Sequence, residues 1–175
     1  MRAKVQSHGF VLMYHRIAEP LSDPWDLAVS PNNFRAQLEV VRREGVCLPL
    51  PDFAARITDR NCLRRLFAIT FDDGYRDNLI NAAPALEAHD LPATIFVVSG
   101  AVGAGCDFWW DALARVFLSI PSLPYELRID TGVGTHKWTP GTVAQCTRRE
   151  IEHLSAWRVD EEPATHGRQK LFLAV

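Results

Sequence analysis

The chain has 175 residues and a net charge of −2, with 47% apolar and 23% charged residues, which is ordinary for a soluble globular protein and suits one domain or part of a larger one. Acids and bases are interspersed, which leaves no electrostatic footprint for nucleic acid or an anionic membrane. No apolar run reaches transmembrane length, and the stretch from Phe10 to Tyr14 is too short for a signal peptide because His15 and Arg16 end it.

Gly9 to Tyr14 reads as a first buried strand, and Pro20 to Ser30 as a loop. Ser30 has the character of an N-cap, with Pro31 at the first helical position. Phe34, Leu38 and Val41 repeat at helical spacing up to Gly45. A short strand is expected over Val46 to Leu50 and a short helix over Asp52 to Ile57. Leu66 to Phe71 reads as a buried strand. Arg76 to His89 reads as a helix with Leu79, Ala82, Ala83 and Leu86 inward and a kink at Pro84. Ala93 to Ser99 is a continuous apolar run of the kind found in parallel sheets. Strand, helix and strand with short links make a βαβ unit.

After Gly100 the character changes. Asp107 to Leu118 is expected to form an amphipathic helix carrying Trp109 and Trp110. Glu126 to Trp138 is expected to form a hairpin, and Thr147 with Glu150 to form a capping box opening a helix to Trp157. Gly167 to Val175 begins another helical or apolar segment, and its apolar end suggests a chain cut short. The expected organisation is residues 1–102 as one part of a domain and 103–175 as a variable segment of it.

The chemistry concentrates at Phe67 to Tyr75, FAITFDDGY. An apolar strand ends on two adjacent acids, and chemistry in open α/β sheets and barrels sits at the carboxyl ends of strands. Two neighbouring carboxylates there need a metal ion, a proton or a network of donors. An Asp-Gly turn is the plain alternative. It is disfavoured here because a helical pattern follows instead of a second strand. The four cysteines, Cys47, Cys62, Cys106 and Cys146, form no C-x-x-C pair, which fits reduced thiols and a cytoplasmic location.

TFDDGY, followed about twenty residues later by ATIFVV and preceded near the N-terminus by VLMYHRI, resembles the polysaccharide deacetylase family (the NodB-homology domain, carbohydrate esterase 4-like). FRAQLEVVRREG followed by VCLPLPDF is similar to the helix and strand that commonly come next, and the resemblance spans roughly residues 9 to 102. It implies an α/β fold, the N-terminal part of a distorted (β/α)7 barrel, with an inserted helix–hairpin–helix segment at the C-terminal end. It also implies a metal-dependent hydrolase that removes N-acetyl or O-acetyl groups from a poly- or oligosaccharide, a carbon–nitrogen non-peptide bond in the first case. By resemblance Asp72 is the general base and Asp73 a ligand of Zn²⁺ or a similar divalent ion. Adjacent acids at a strand end can divide such work because their side chains point in different directions. Gly74 lets the backbone pass close by.

The sequence departs from the family pattern in its histidines. His8, His15, His89, His136, His153 and His166 include no pair within six residues of one another, whereas the family's second motif supplies two closely spaced ligands. The arginine of the third motif and the later leucine and histidine motifs are absent too. A catalytic zinc usually takes three protein ligands, so half a site is expected here, with the remainder in a longer parent. His15 and Tyr75 are candidate substrate contacts. Trp109 and Trp110 are candidates for stacking on sugar rings, against the commoner role of packing. His136, His153 and His166 are weaker candidates for substitute ligands, and Arg148 and Arg149 are expected to face solvent. An inactive remnant or a carbohydrate-binding module is the alternative from another class. An aspartyl phosphotransfer enzyme is disfavoured because no D-x-D-x-T loop exists.

Overall fold

The structure is a computed structural model, described here for residues 9–58, 64–130, 132–160 and 162–174. His8, Cys62, Thr131 and Val175 lie outside the described residues. The chain is mixed α/β and divides into two compact units. One comprises residues 1–19 and 27–104, the other residues 20–26 and 105–175.

The first unit is built on a parallel sheet. Its strands are β1 (Gly9–Tyr14), β4 (Val46–Cys47), β5 (Leu66–Phe71) and β6 (Thr94–Ile95). β5 is central. It pairs with β1 over its whole length, from Gly9 opposite Leu66 to Tyr14 opposite Phe71. On its other side β4 pairs with its start and β6 with its end. All six residues of β5 are buried, which is why its sequence is a continuous apolar run and not an alternation. A second, two-stranded parallel pair joins β2 (Arg16–Ile17) to β3 (Ala28–Val29), and β3 lies inside the segment expected to be loop.

Helix α1 (Pro31–Glu44) starts as its sequence dictates. The Ser30 hydroxyl accepts from the Asn33 amide at 3.2 Å, Pro31 occupies the first turn, and Phe34, Leu38 and Val41 are buried. One face of β5, carrying Ile69 and Phe71, packs with Tyr14, Phe34, Leu38, Ala82, Ala85 and Leu86. Tyr14, Phe34 and Phe71 meet with ring centroids 5.1–5.9 Å apart. Each such fully buried large apolar side chain contributes about 1.5–3 kcal/mol. The opposite face, with Leu66 and Ala68, packs on Phe53 of α2 (Leu50–Arg56).

Three expectations for this unit need correction. β1 has the expected limits but is an edge strand among the described residues, so Phe10, Val11 and Met13 are exposed rather than buried. The apolar run 93–99 is strand only at Thr94–Ile95, and Ile95 to Val98 are exposed because no described strand flanks β6 on its far side. The helix over 76–89 opens as a π-helical turn, Asn78–Ala82, before α3 (Ala83–His89), and the Ala83 amide donates to the Asn78 carbonyl five residues back. Pro84 has no N–H and its ring crowds the carbonyl four residues earlier, so the turn widens. The widening rotates the helix face. Leu79 becomes 73% exposed, while Asn78, Ala82, Ala85 and Leu86 are buried.

The second unit holds α4 (Trp109–Ala114), which runs into a π-helical turn, Arg115–Ser119. The antiparallel hairpin β7 (Leu127–Asp130) and β8 (Thr135–Trp138) follows, then α5 (Arg148–Ala156) and α6 (Gly167–Ala174). The expected capping box is present, with Thr147 and Glu150 bonding reciprocally. Its core joins Ala114, Phe117, Leu118, Leu123, Leu154, Trp157 and Phe172. Arg168 is fully buried, and its guanidinium donates to the carbonyls of Ile120, Pro121, Val143 and Ala144.

Candidate active site

Asp72 follows the last residue of β5, and its amide donates to the Tyr14 carbonyl at 2.8 Å, which ties the turn to the end of β1. Asp73 takes the left-handed conformation at φ 68°, and Gly74 repeats it at φ 72°. The Gly74 amide closes back on the Asp72 carbonyl at 2.9 Å, and the Val98 amide reaches the Asp73 carbonyl at 3.5 Å. A non-glycine residue held left-handed is uncommon and persists only where its surroundings impose it. Here hydrogen bonds to the ends of β1 and of the β6 segment do so. Both acids and Tyr75 are half-buried, within reach of a ligand at the carboxyl end of the sheet.

The register of β1 against β5 places His15 level with Asp72, so His15, Asp72, Asp73 and Tyr75 share one end of the sheet. A polar network supports that end. Asp77 accepts from Arg16 Nε at 3.1 Å through one oxygen and from the Ile17 amide at 2.8 Å through the other. Asn78 donates to the His15 carbonyl at 2.8 Å and Asn81 to the Ile17 carbonyl at 2.7 Å. The Arg16 guanidinium lies 4.8 Å from the centre of the Tyr75 ring. Asn78 is 2% exposed, and its Oδ1 has no hydrogen-bond partner. Sequence reasoning missed Arg16, Asp77, Asn78 and Asn81. The available signal was three polar residues on the inward face of a helix that directly follows the acidic turn.

The other candidates belong to the second unit. Trp109 is exposed and Trp110 half-buried. His136 stacks on Trp138 at 5.7 Å, and His153 and His166 border a hollow of about 490 Å³ with Thr147, Arg149 and Glu150. Arg148 is exposed and pairs with Glu152, and Arg149 is exposed.

A model of the polysaccharide deacetylase family matches residues 60–156, more than half of the chain and including the acidic turn. The chain belongs to the polysaccharide deacetylase family. Over 95 residues it is 33% identical to the Bacillus subtilis (strain 168) protein named "Putative polysaccharide deacetylase YxkH", a stretch covering 53% of this chain and 33% of that protein. Solved structures of similar proteins include the Streptococcus pyogenes deacetylase PplD in complex with acetate, at 25% identity and a TM-score of 0.47, covering 60% of this chain and 50% of that one. IcaB from Ammonifex degensii is 27% identical with a TM-score of 0.48, covering 62% and 48%. This polysaccharide deacetylase family chain therefore spans about a third of that Bacillus subtilis protein and half or less of these two solved chains.

Whether its residues fit a metal ion can be judged from their donors. Asp72 and Asp73 supply adjacent carboxylates, but no group of three or more His, Cys, Asp or Glu side chains able to hold a metal exists among the described residues. A catalytic zinc takes three protein ligands. The described residues do not complete such a centre.

Proposed function

We propose that this chain carries the catalytic base of a carbohydrate deacetylase, with Asp72 in that role and an N-acetylated poly- or oligosaccharide as substrate. The observation that carries the reading is the Asp72–Asp73 turn, pinned at the carboxyl end of the central parallel strand with Asp73 left-handed. Family membership supports it. Asp72 takes a proton from water as the water oxygen attacks the acetyl carbonyl carbon. The carbon–nitrogen bond then breaks, the nitrogen leaves as the amine after receiving a proton, and acetate is released. An O-acetyl ester would react in the same way with an alcohol as leaving group. His15 and Tyr75 are the sugar contacts in this reading, which their position at the same end of the sheet as Asp72 supports.

Asp73 as one carboxylate ligand of Zn²⁺ or a similar divalent ion is part of the proposal, with the further donors lying beyond the described residues. So is the first unit as a portion of a distorted (β/α)7 barrel. Its parallel strands, outer helices and exposed strand edges support that reading. Residues 103–175 would then be an inserted helix–hairpin–helix segment.

The test is acetate release from penta-N-acetylchitopentaose by the longest protein carrying this sequence. We expect Asp72→Asn to lose at least about a hundredfold in rate, the ordinary scale of a general base, while calorimetry shows zinc binding retained. Asp73→Asn is expected to lose zinc affinity. Wild-type turnover in Asp72→Asn would remove the base assignment.

A further inference from the structure

We propose that Phe108, Trp109 and Trp110 form a stacking platform for a pyranose ring of the polysaccharide, carried by residues other than the acidic turn. The proposal rests on the carbohydrate reading above. Phe108 is the extended N-cap residue of α4, and Trp109 and Trp110 open the helix, where successive side chains diverge by about 100° around the axis, so a single face cannot bury both indoles. The unit core takes Ala114, Phe117 and Leu118 from the same helical run and leaves Trp109 67% exposed.

The exposed indole is nevertheless held in place. The Phe108 and Trp110 rings lie parallel, with centroids 4.6 Å apart and an interplanar angle of 5°. Trp109 stands edge-on to Trp110 at 5.4 Å and 81°. An aromatic ring fixed by a stacked pair has little side-chain freedom left to lose on binding, which is what preorganisation requires.

The chemistry favours a sugar as occupant. A pyranose presents a flat face of C–H bonds that matches an indole in size and hydroxyls around its rim that need polar partners. Asp107 and Arg115 supply charged groups on either side of the aromatic run. They pair at 3.1 Å, and their side chains are 53% and 64% exposed. The residues matched by the family model include all three aromatics.

The test is titration of the chain with penta-N-acetylchitopentaose and with cellopentaose, followed by tryptophan fluorescence and calorimetry, for the wild type and for Trp109→Ala and Trp109→Leu. We expect the wild type to bind at least one of the two, and both variants to bind about tenfold more weakly, the scale of one stacking contact. Leucine keeps apolar bulk without the flat ring, so a loss in both variants reports stacking. Unchanged affinity in either variant overturns the platform and leaves the deacetylase reading standing. A wild-type chain that binds neither sugar also overturns it, while acetate release reports on the deacetylase reading separately.

Discussion

At the scale of single residues, the acidic turn depends on two consecutive left-handed positions. A Cβ on Gly74 would sit 3.1 Å from both γ-carbons of Val97, at φ 72°. Gly74→Ala is therefore expected to cost about 1–2 kcal/mol, read from urea midpoints. Asp73→Asn should be nearly neutral in the same assay, because asparagine tolerates the left-handed region. That separates its effect on zinc from any effect on folding. Asp77 is the second point of dependence. Asp77→Ala strands the Ile17 amide and the half-buried Arg16 guanidinium, and about 2–3 kcal/mol of stability should go with it. Tyr14 gives a pH signature. Burial pushes its phenol up to about 12, and its hydroxyl donates to Gln37 at 2.9 Å. The unfolded chain titrates this group near 10, so it loses the proton first. The contribution is intact below about pH 10 and is lost as pH rises towards 12, by about 2 kcal/mol. Tyr14→Phe should start less stable at pH 8 and show a smaller alkaline loss, so the gap between the two proteins narrows at pH 11.

At the scale of elements, the sequence spoke clearly where one interaction dominates. The limits of β1 and β5 were readable because each apolar run ends on a charged or polar residue at the carboxyl end of the sheet. The start of α1 was readable because Ser30 and Pro31 act through local hydrogen bonding. The path from Arg76 to His89 was legible as a helix, and Ala82 and Leu86 are buried as expected, but the π turn before Pro84 leaves Leu79 exposed and turns Asn78 and Ala85 inward. Burial of β1 and of residues 95–98 was not legible either, because composition does not reveal whether a neighbouring strand is present. Arg168 was hidden for a different reason. Its segment, GRQK, begins a helical or apolar stretch in which no local signal singles out the arginine, yet four backbone carbonyls from two separated stretches converge on the guanidinium. Arg168→Met should cost about 3 kcal/mol by leaving those carbonyls buried without donors. Arg168→Lys should recover only part of that loss, because an ammonium lacks the planar fork that serves four acceptors. Thermal unfolding of the three proteins checks the order.

At the scale of the whole molecule, the acids of the candidate site were legible, and their support was not. Asp72 and Asp73 stand out as charges ending an apolar strand. The Arg16–Asp77–Asn78–Asn81 network becomes visible only when parallel pairing brings the end of β1 beside the start of the following helix. The same sheet has a consequence in solution. Phe10, Val11 and Met13 on β1 are 47%, 49% and 62% exposed, and no described strand pairs with the outer edge of β1. Unpaired backbone donors and acceptors beside apolar side chains form a template for another strand. The chain alone should therefore self-associate at roughly 0.1 mM, the range in which such surfaces act. Met13→Lys places a charge on that edge without removing a core contact. It should shift the mass measured by light scattering towards the monomer while changing stability by no more than about 0.5 kcal/mol. Equal association by the two proteins would show that the β1 edge is not where copies meet, and the exposed run from Ile95 to Val98 would be the next surface to charge.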